Sequence, residues 1–230
     1  MYSRFKVLGI ALVVAGFVFV GVGGYTYLKT QEGAASLKAF SAAQDVKLAY
    51  NDAGQLTDRG KTEGATAIMG LLTNDWGYTV NPAELDPNDP VVNTASEYMY
   101  QMATIAYHTL NGTQTVVLPE TVTSGDGTVY KAGTYEVPVN GRYWSDFDRT
   151  NPIDAKVREQ AWTGTAHALI AELGVGSVTA SAIQIGLGTA AITGAMGLVF
   201  ILMGIGVVWA ARPAEATERV SVRATAPAAA

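Results

Sequence analysis

Two stretches of the chain run uncharged for longer than a soluble helix or strand needs, and a long, polar and patterned segment lies between them. The first extends from Val7 to Leu28, between Lys6 and Lys29. Its 22 residues make about 33 Å of helix, which matches the hydrocarbon core of a bilayer. A cleaved signal peptide is the competing reading, because Arg4 and Lys6 form a charged start and Gly33 to Ala35 offer small residues. Apolar regions of signal peptides are shorter, roughly 7–15 residues, and abut the cleavage site, so the pattern predicts a retained span. Tyr25 and Tyr27 close it as an interfacial aromatic pair.

The second stretch, Leu173 to Ala211, has 39 residues, too many for one upright span and barely enough for two. Ser177, Thr179, Ser181 and Gln184 lie in its first part, whereas Ile185 to Ala211 is apolar and ends at Trp209, before Arg212 and Pro213. This predicts one span over 185–211, preceded by a helix standing out of the membrane; a tight two-span hairpin is the alternative. Small residues recur every seven positions in both spans, at Gly9, Gly16 and Gly23 and at Ala190, Gly197, Gly204 and Ala211. Lipid supplies no hydrophobic drive between helices, so flat seams of this kind predict close packing of the two spans. The plain alternative is that glycine is common in membrane helices.

Between the spans the periodicity changes repeatedly. Gln31 to Ala43 continues at helical spacing, Val46, Leu48 and Tyr50 alternate as a strand before a turn at Asn51 to Gly54, and a helix covers Glu63 to Asn74. Pro82, Pro87 and Pro90 make residues 76–90 a loop. Thr94 and Glu97 then form a capping box that opens a helix carrying Tyr98, Met102, Ile105, Ala106 and Leu110 on one face, with a left-handed stop predicted at Asn111-Gly112. Turn residues at Gly125 to Gly127, Ala132-Gly133 and Asn140-Gly141 divide 113–144 into a β-meander, and a last helix is predicted from Asp154 to Leu173. Strand, helices, antiparallel strands and helix in that order argue α+β. The expected fold is thus a membrane protein with two transmembrane helices flanking an α+β extracytoplasmic domain with an antiparallel β-meander. Its divisions are a cytoplasmic N-terminus (1–6), a first span (7–28), the domain (29–184), a second span (185–211) and a disordered cytoplasmic tail (212–230).

Charge adds orientation. Arg4, Lys6, Arg212, Arg219 and Arg223 flank the spans on the side of the termini, while residues 30–172 hold 9 Lys/Arg against 18 Asp/Glu, a net of 9 − 18 = −9. Both termini are therefore expected in the cytoplasm of a multi-pass cell-membrane protein, with the acidic domain outside. So acidic a domain is a poor ligand for nucleic acid or anionic lipid, which leaves the bilayer and a membrane or cell-wall protein as partners. The absence of cysteine excludes disulfides, thiolate nucleophiles and thiolate metal sites.

Candidate chemistry is sparse. His108 and His167, with a carboxylate such as Glu97, are the only means of building a two-histidine, one-carboxylate iron site, and no short ligand spacing ties them together. Tyr143-Trp144 followed by Asp146, Asp148 and Arg149 could face a sugar ring or supply an acid/base pair; the plain alternative is core aromatics beside a solvated acidic turn. Residues 51–58 lack the alternating oxygen ligands of a calcium loop, Asn111-Gly112-Thr113 fits a glycosylation sequon, and no phosphate loop or nucleophile elbow is present. No catalytic, cofactor-binding or metal residue is assigned on these grounds. The expected function is a non-enzymatic envelope protein, with an enzyme acting from the outer domain, a ring-opening dioxygenase or a wall hydrolase, as the alternative.

The stretches YNDAGQLTDRGKTEGATAIMGLLTNDW (50–76), EYMYQMATIAYHTLNGTQTVVL (97–118) and AGTYEVPVNGRYWSDFDR (132–149) resemble a family of two-span actinobacterial membrane proteins. The resemblance covers nearly the whole chain and implies the topology above. Members often carry the label of an aromatic ring-opening dioxygenase alpha subunit. The enzyme so named is soluble, and its iron ligands lie on its other subunit, so the resemblance carries no catalytic residue over to this chain.

Overall fold

The computed structural model describes residues 2–211, which fall into two compact units, one made of the residues up to Gly33 together with those from Ile183 onward, the other of Ala34–Ala182. The disorder expected of 212–230 lies outside the described residues. Helix α1 (Tyr2–Gln44) and helix α5 (Gly164–Ala210) each contribute to both units. Each contains a segment long and apolar enough to cross a membrane. Because α5 continues unbroken to Ala210, the two-span hairpin is replaced by a single helix.

In the first unit the helices pack antiparallel along the small-residue seam. A Cβ added at Gly9 would lie 2.7 Å from the Gly204 carbonyl oxygen, one at Gly16 2.6 Å from that of Gly197, and one at Gly23 2.8 Å from the Gly194 nitrogen. No side chain fits at such separations, so backbone meets backbone at three successive seven-residue steps, the period that keeps a seam facing its partner. Phe19 and Phe200 meet edge to face beside it, with ring centroids 5.5 Å apart. Away from the seam, large apolar side chains such as Val7, Phe17, Ile185 and Leu202 stand more than half exposed, far more apolar surface than a water-facing protein shows.

The second unit begins with a short antiparallel hairpin of β1 (Ala49–Tyr50) and β2 (Leu56–Thr57), turned by Asn51, whose Oδ1 accepts from Ala53 N and Gln55 N. Helix α2 (Thr62–Gly70) runs on into one wider π-helical turn, Leu71–Asp75, closed by Trp76 N donating to Leu71 O at 3.0 Å. The proline-rich loop that follows holds one 3₁₀ turn, Pro82–Glu84. Helix α3 (Ala95–Leu110) starts at the predicted capping box. Glu97 is 1% exposed, and its Oε2 accepts from Asn93 N, Thr94 N and Thr94 Oγ1 at 3.0, 2.9 and 2.8 Å. Burial pushes this carboxyl above the usual carboxylate range while those three bonds pull it back. Burial of α3 extends beyond the predicted face, to Tyr100 and Ala103, because it lies between two apolar clusters.

The expected meander is not formed. β3 (Thr113–Leu118) pairs along its whole length with β6 (Gly133–Pro138), from Thr113 opposite Pro138 to Leu118 opposite Gly133, while β4 (Val122–Thr123) pairs with β5 (Val129–Tyr130). The strands nest instead of alternating: the two six-residue strands match in length, and the tip closes on its own turn, where Ser124 N donates to Thr128 O. Asn140 and Gly141 both take left-handed backbone angles (φ 53° and 73°), and Arg142 N donates to Val139 O, but no strand follows this turn. It ties β6 to α3 through Gly141 N and Leu110 O.

Two helix ends also depart from expectation. Asn111 has φ −102° and ψ 6°, not a left-handed stop, because β3 starts at Thr113 and the chain must extend at once; Asn111 Nδ2 instead closes the helix by donating to Tyr107 O. The last predicted helix breaks at Trp162-Thr163 into α4 (Pro152–Ala161) and α5. Trp162 is held in the core with its Nε1 donating to Arg142 O, and Thr163 Oγ1 accepts from Ala166 N to start α5.

The glycine seam generates a paired prediction. Gly16→Val should lower the thermal midpoint of the purified chain in detergent, at a cost of about 1–3 kcal/mol from overpacking. Gly21→Val, at a position with nothing within 4 Å, should leave the midpoint unchanged. Equal effects of the two would rule out the seam.

Candidate functional site

The residues singled out from the sequence are dispersed. His108, on α3, places Nε2 2.9 Å from Asp58 Oδ1, just past β2. His167, in the first turns of α5, lies edge to face with Trp144 at 5.1 Å and tilted against Trp162 at 5.8 Å. Glu97 is committed to its capping box. Among the described residues no three of His, Asp and Glu converge, and His108, His167 and Glu97 each keep separate local partners.

Asp146 and Asp148 serve local turns: Asp146 Oδ2 accepts from Tyr143 N at 2.8 Å, and Asp148 Oδ1 accepts from Thr150 Oγ1 and N at 2.7 and 2.8 Å. The Thr150 bonds hold the Asp148 carboxyl below its ordinary range, so it stays ionised and is poorly suited to act as an acid. Arg142 pairs with Asp154 at 2.9 Å and stacks over Phe147, and the Arg158 guanidinium lies 3.9 Å above the Trp144 ring. Of the adjacent pair, Trp144 packs against the core, as the plain reading has it, whereas Tyr143 is 39% exposed.

Tyr143 forms one side of a polar and aromatic groove of about 700 Å³. Its first wall is the π-helical turn. The wide turn leaves Leu71 in the core while Asp75 and Trp76 stand over the groove. Such one-turn widenings within helices recur at functional sites. The second wall is the last turn of α3, with Tyr107 and Asn111, and the Asn140-Gly141 turn delivers Tyr143 opposite. Trp76 Nε1 donates to the Tyr143 hydroxyl at 2.9 Å, which locks two aromatic rings from residues 67 positions apart. Behind, Tyr143 stacks on Trp162 with centroids 5.7 Å apart and planes at 24°. The groove thus offers partly exposed aromatic rings backed by a rigid core, with the Asp75 carboxylate and the Asn111 amide at its edge. Sequence reasoning found Tyr143 and missed Trp76, Tyr107 and Asp75; the Trp76-Gly77 step closing a helix was the available signal.

Compared with known proteins, the chain matches no described family, no curated protein and no solved structure.

Because the two imidazoles have separate local partners, His108→Gln and His167→Gln should each leave the metal content of the purified chain unchanged by elemental analysis. One iron per chain, lost in both variants, would contradict this separation.

Proposed function

We propose that the chain is a membrane-anchored envelope protein that spans the bilayer twice, with both termini cytoplasmic, and uses its outer domain to hold a neutral glycan of the cell envelope in the aromatic groove. The observation that carries this reading is the groove itself. Fixed aromatic faces with a few hydrogen-bonding groups at the edge suit the alternating apolar faces and hydroxyl rims of a sugar chain. The net charge of −9 over residues 30–172 disfavours acidic polymers and nucleic acid. The exposed apolar faces of α1 and α5 support the bilayer as the partner of the first unit, since only a hydrocarbon solvent leaves such faces unstrained. The reading accords with the resemblance to two-span actinobacterial membrane proteins and needs no ring-opening activity.

Two measurements bear on it. Reporters fused after Ala230 should report the cytoplasm and one inserted near Gly125 the outside; an outside C-terminus would reverse the topology. In nanodiscs, the full chain should show tryptophan fluorescence changes on titration with an N-acetylglucosamine oligosaccharide and none with a uronic-acid oligosaccharide. Tyr143→Ala should weaken that binding about tenfold or more with the circular dichroism spectrum unchanged. Undiminished binding in Tyr143→Ala, or no binding by the native chain, would refute the groove's role.

A further inference from the structure

A second concavity in Ala34–Ala182, separate from the groove, has a different chemistry. It is a cavity of about 320 Å³ bounded by the end of α1, the middle of α3 and the early part of α5. Its floor is Ser41, Val92, Tyr98 and Leu173, all buried. Ser41 Oγ donates to Leu37 O at 2.9 Å, which leaves the Tyr98 hydroxyl to donate to Ser41 Oγ at 2.7 Å. The floor therefore has no spare proton to offer and is otherwise apolar, which suits a hydrocarbon chain. The floor is also preformed. The Tyr98 ring lies flat on Gly176, where an added Cβ would come within 2.5–2.7 Å of three ring atoms. Tyr98 thus has a fixed seat and cannot turn aside to fill the space.

The mouth is built differently. Phe40 and Leu169 leave apolar edges 46% and 41% exposed, and Gln44, Gln101 and Glu172 supply the polar groups. No basic side chain is among the described residues that line it. A carboxylate or phosphate head would meet Glu172 with no cation to offset it, whereas a hydroxyl or amide head finds two carboxamides and an acceptor. The volume holds on the order of ten methylene-sized groups, at about 30 Å³ each. The helices that form two of its walls, α1 and α5, are the same two that carry the apolar runs.

We infer that this cavity receives the hydrocarbon chain of a neutral, single-chain amphiphile drawn from the bilayer, with its uncharged head among Gln44, Gln101 and Glu172. The source of the ligand rests on the proposed membrane anchoring, which the reporter fusions test separately; the cavity and its preference for a neutral head do not.

The test uses the full chain in nanodiscs doped with a diazirine-bearing long-chain alcohol or with the carboxylic acid of the same chain, followed by mass spectrometric location of the adducts. The readout is α3, which carries no membrane-length apolar run and so reports the cavity and not the lipid phase. The alcohol should label the Gln101–Ile105 segment, and the acid should do so about tenfold less, as a like charge at the mouth requires. Leu169→Trp, a change at an exposed edge, should suppress labelling by the alcohol, and Glu172→Gln should raise labelling by the acid toward that of the alcohol. Absence of adducts on α3 in the native chain, equal labelling by alcohol and acid, or labelling undiminished in Leu169→Trp would each overturn the assignment.

Discussion

A single buried carboxylate fixes the start of the helix on which the Ala34–Ala182 unit depends. Glu97 gathers two backbone N–H groups and a hydroxyl at the first turn of α3, and from that origin each later residue is delivered to a set direction and height. Tyr98, Gln101 and Ile105 come to one concavity, and Tyr107, Leu110 and Asn111 to the other. The two apolar clusters share this helix as well, one drawing on Ala106 and Leu110 and the other on Tyr98, Tyr100 and Ala103. A cap of this kind contributes about 0.5–2 kcal/mol through the helix it starts. Here it also satisfies a carboxylate that would otherwise be buried without partners, at a larger cost.

The first unit obeys a different constraint. Its helices contact one another through backbone, which requires glycine at fixed intervals, and their remaining faces are apolar and exposed. Thr30 is satisfied within its own helix: its Oγ1 donates to Thr26 O at 2.8 Å and packs at Gly186. Close approach and an apolar exterior are complementary, because the glycines admit only a few large side chains to the interface, among them Val13, Val20, Ile201 and Val208, and many of the others face outward.

What the sequence made legible was local or periodic. The two apolar helices, the seven-residue seam, the Thr94–Glu97 box and the Asn140-Gly141 turn each express a rule acting over a few residues. The choice of partners was not legible. Turn residues divide 113–144 in the same way whether strands alternate or nest, and only the equal lengths of β3 and β6 with the tight tip between them decide the pairing. The break at Trp162-Thr163 was hidden because helical spacing continues across it, and the decisive bond, from Trp162 Nε1 to Arg142 O, joins distant residues. The groove was half visible for the same reason: Tyr143 could be noticed beside its acidic neighbours, but Trp76 meets it only through the fold. The π-helical turn has no signature in composition.

That turn bears on how this stretch of chain can change in length. A π-helical turn holds one residue more than an α-helical turn, and each residue of an α-helix advances the side-chain direction by about 100°. Because the wide turn takes up its extra residue within one turn, removing one residue of Leu71–Asp75 would let α2 continue as ordinary helix with the following indole still directed toward Tyr143. A single-codon deletion can thus be absorbed within the wide turn, whereas one in the regular part of α2, which has no extra residue to give up, would turn every later side chain of the helix, Trp76 included, by about 100° and undo the first wall of the groove.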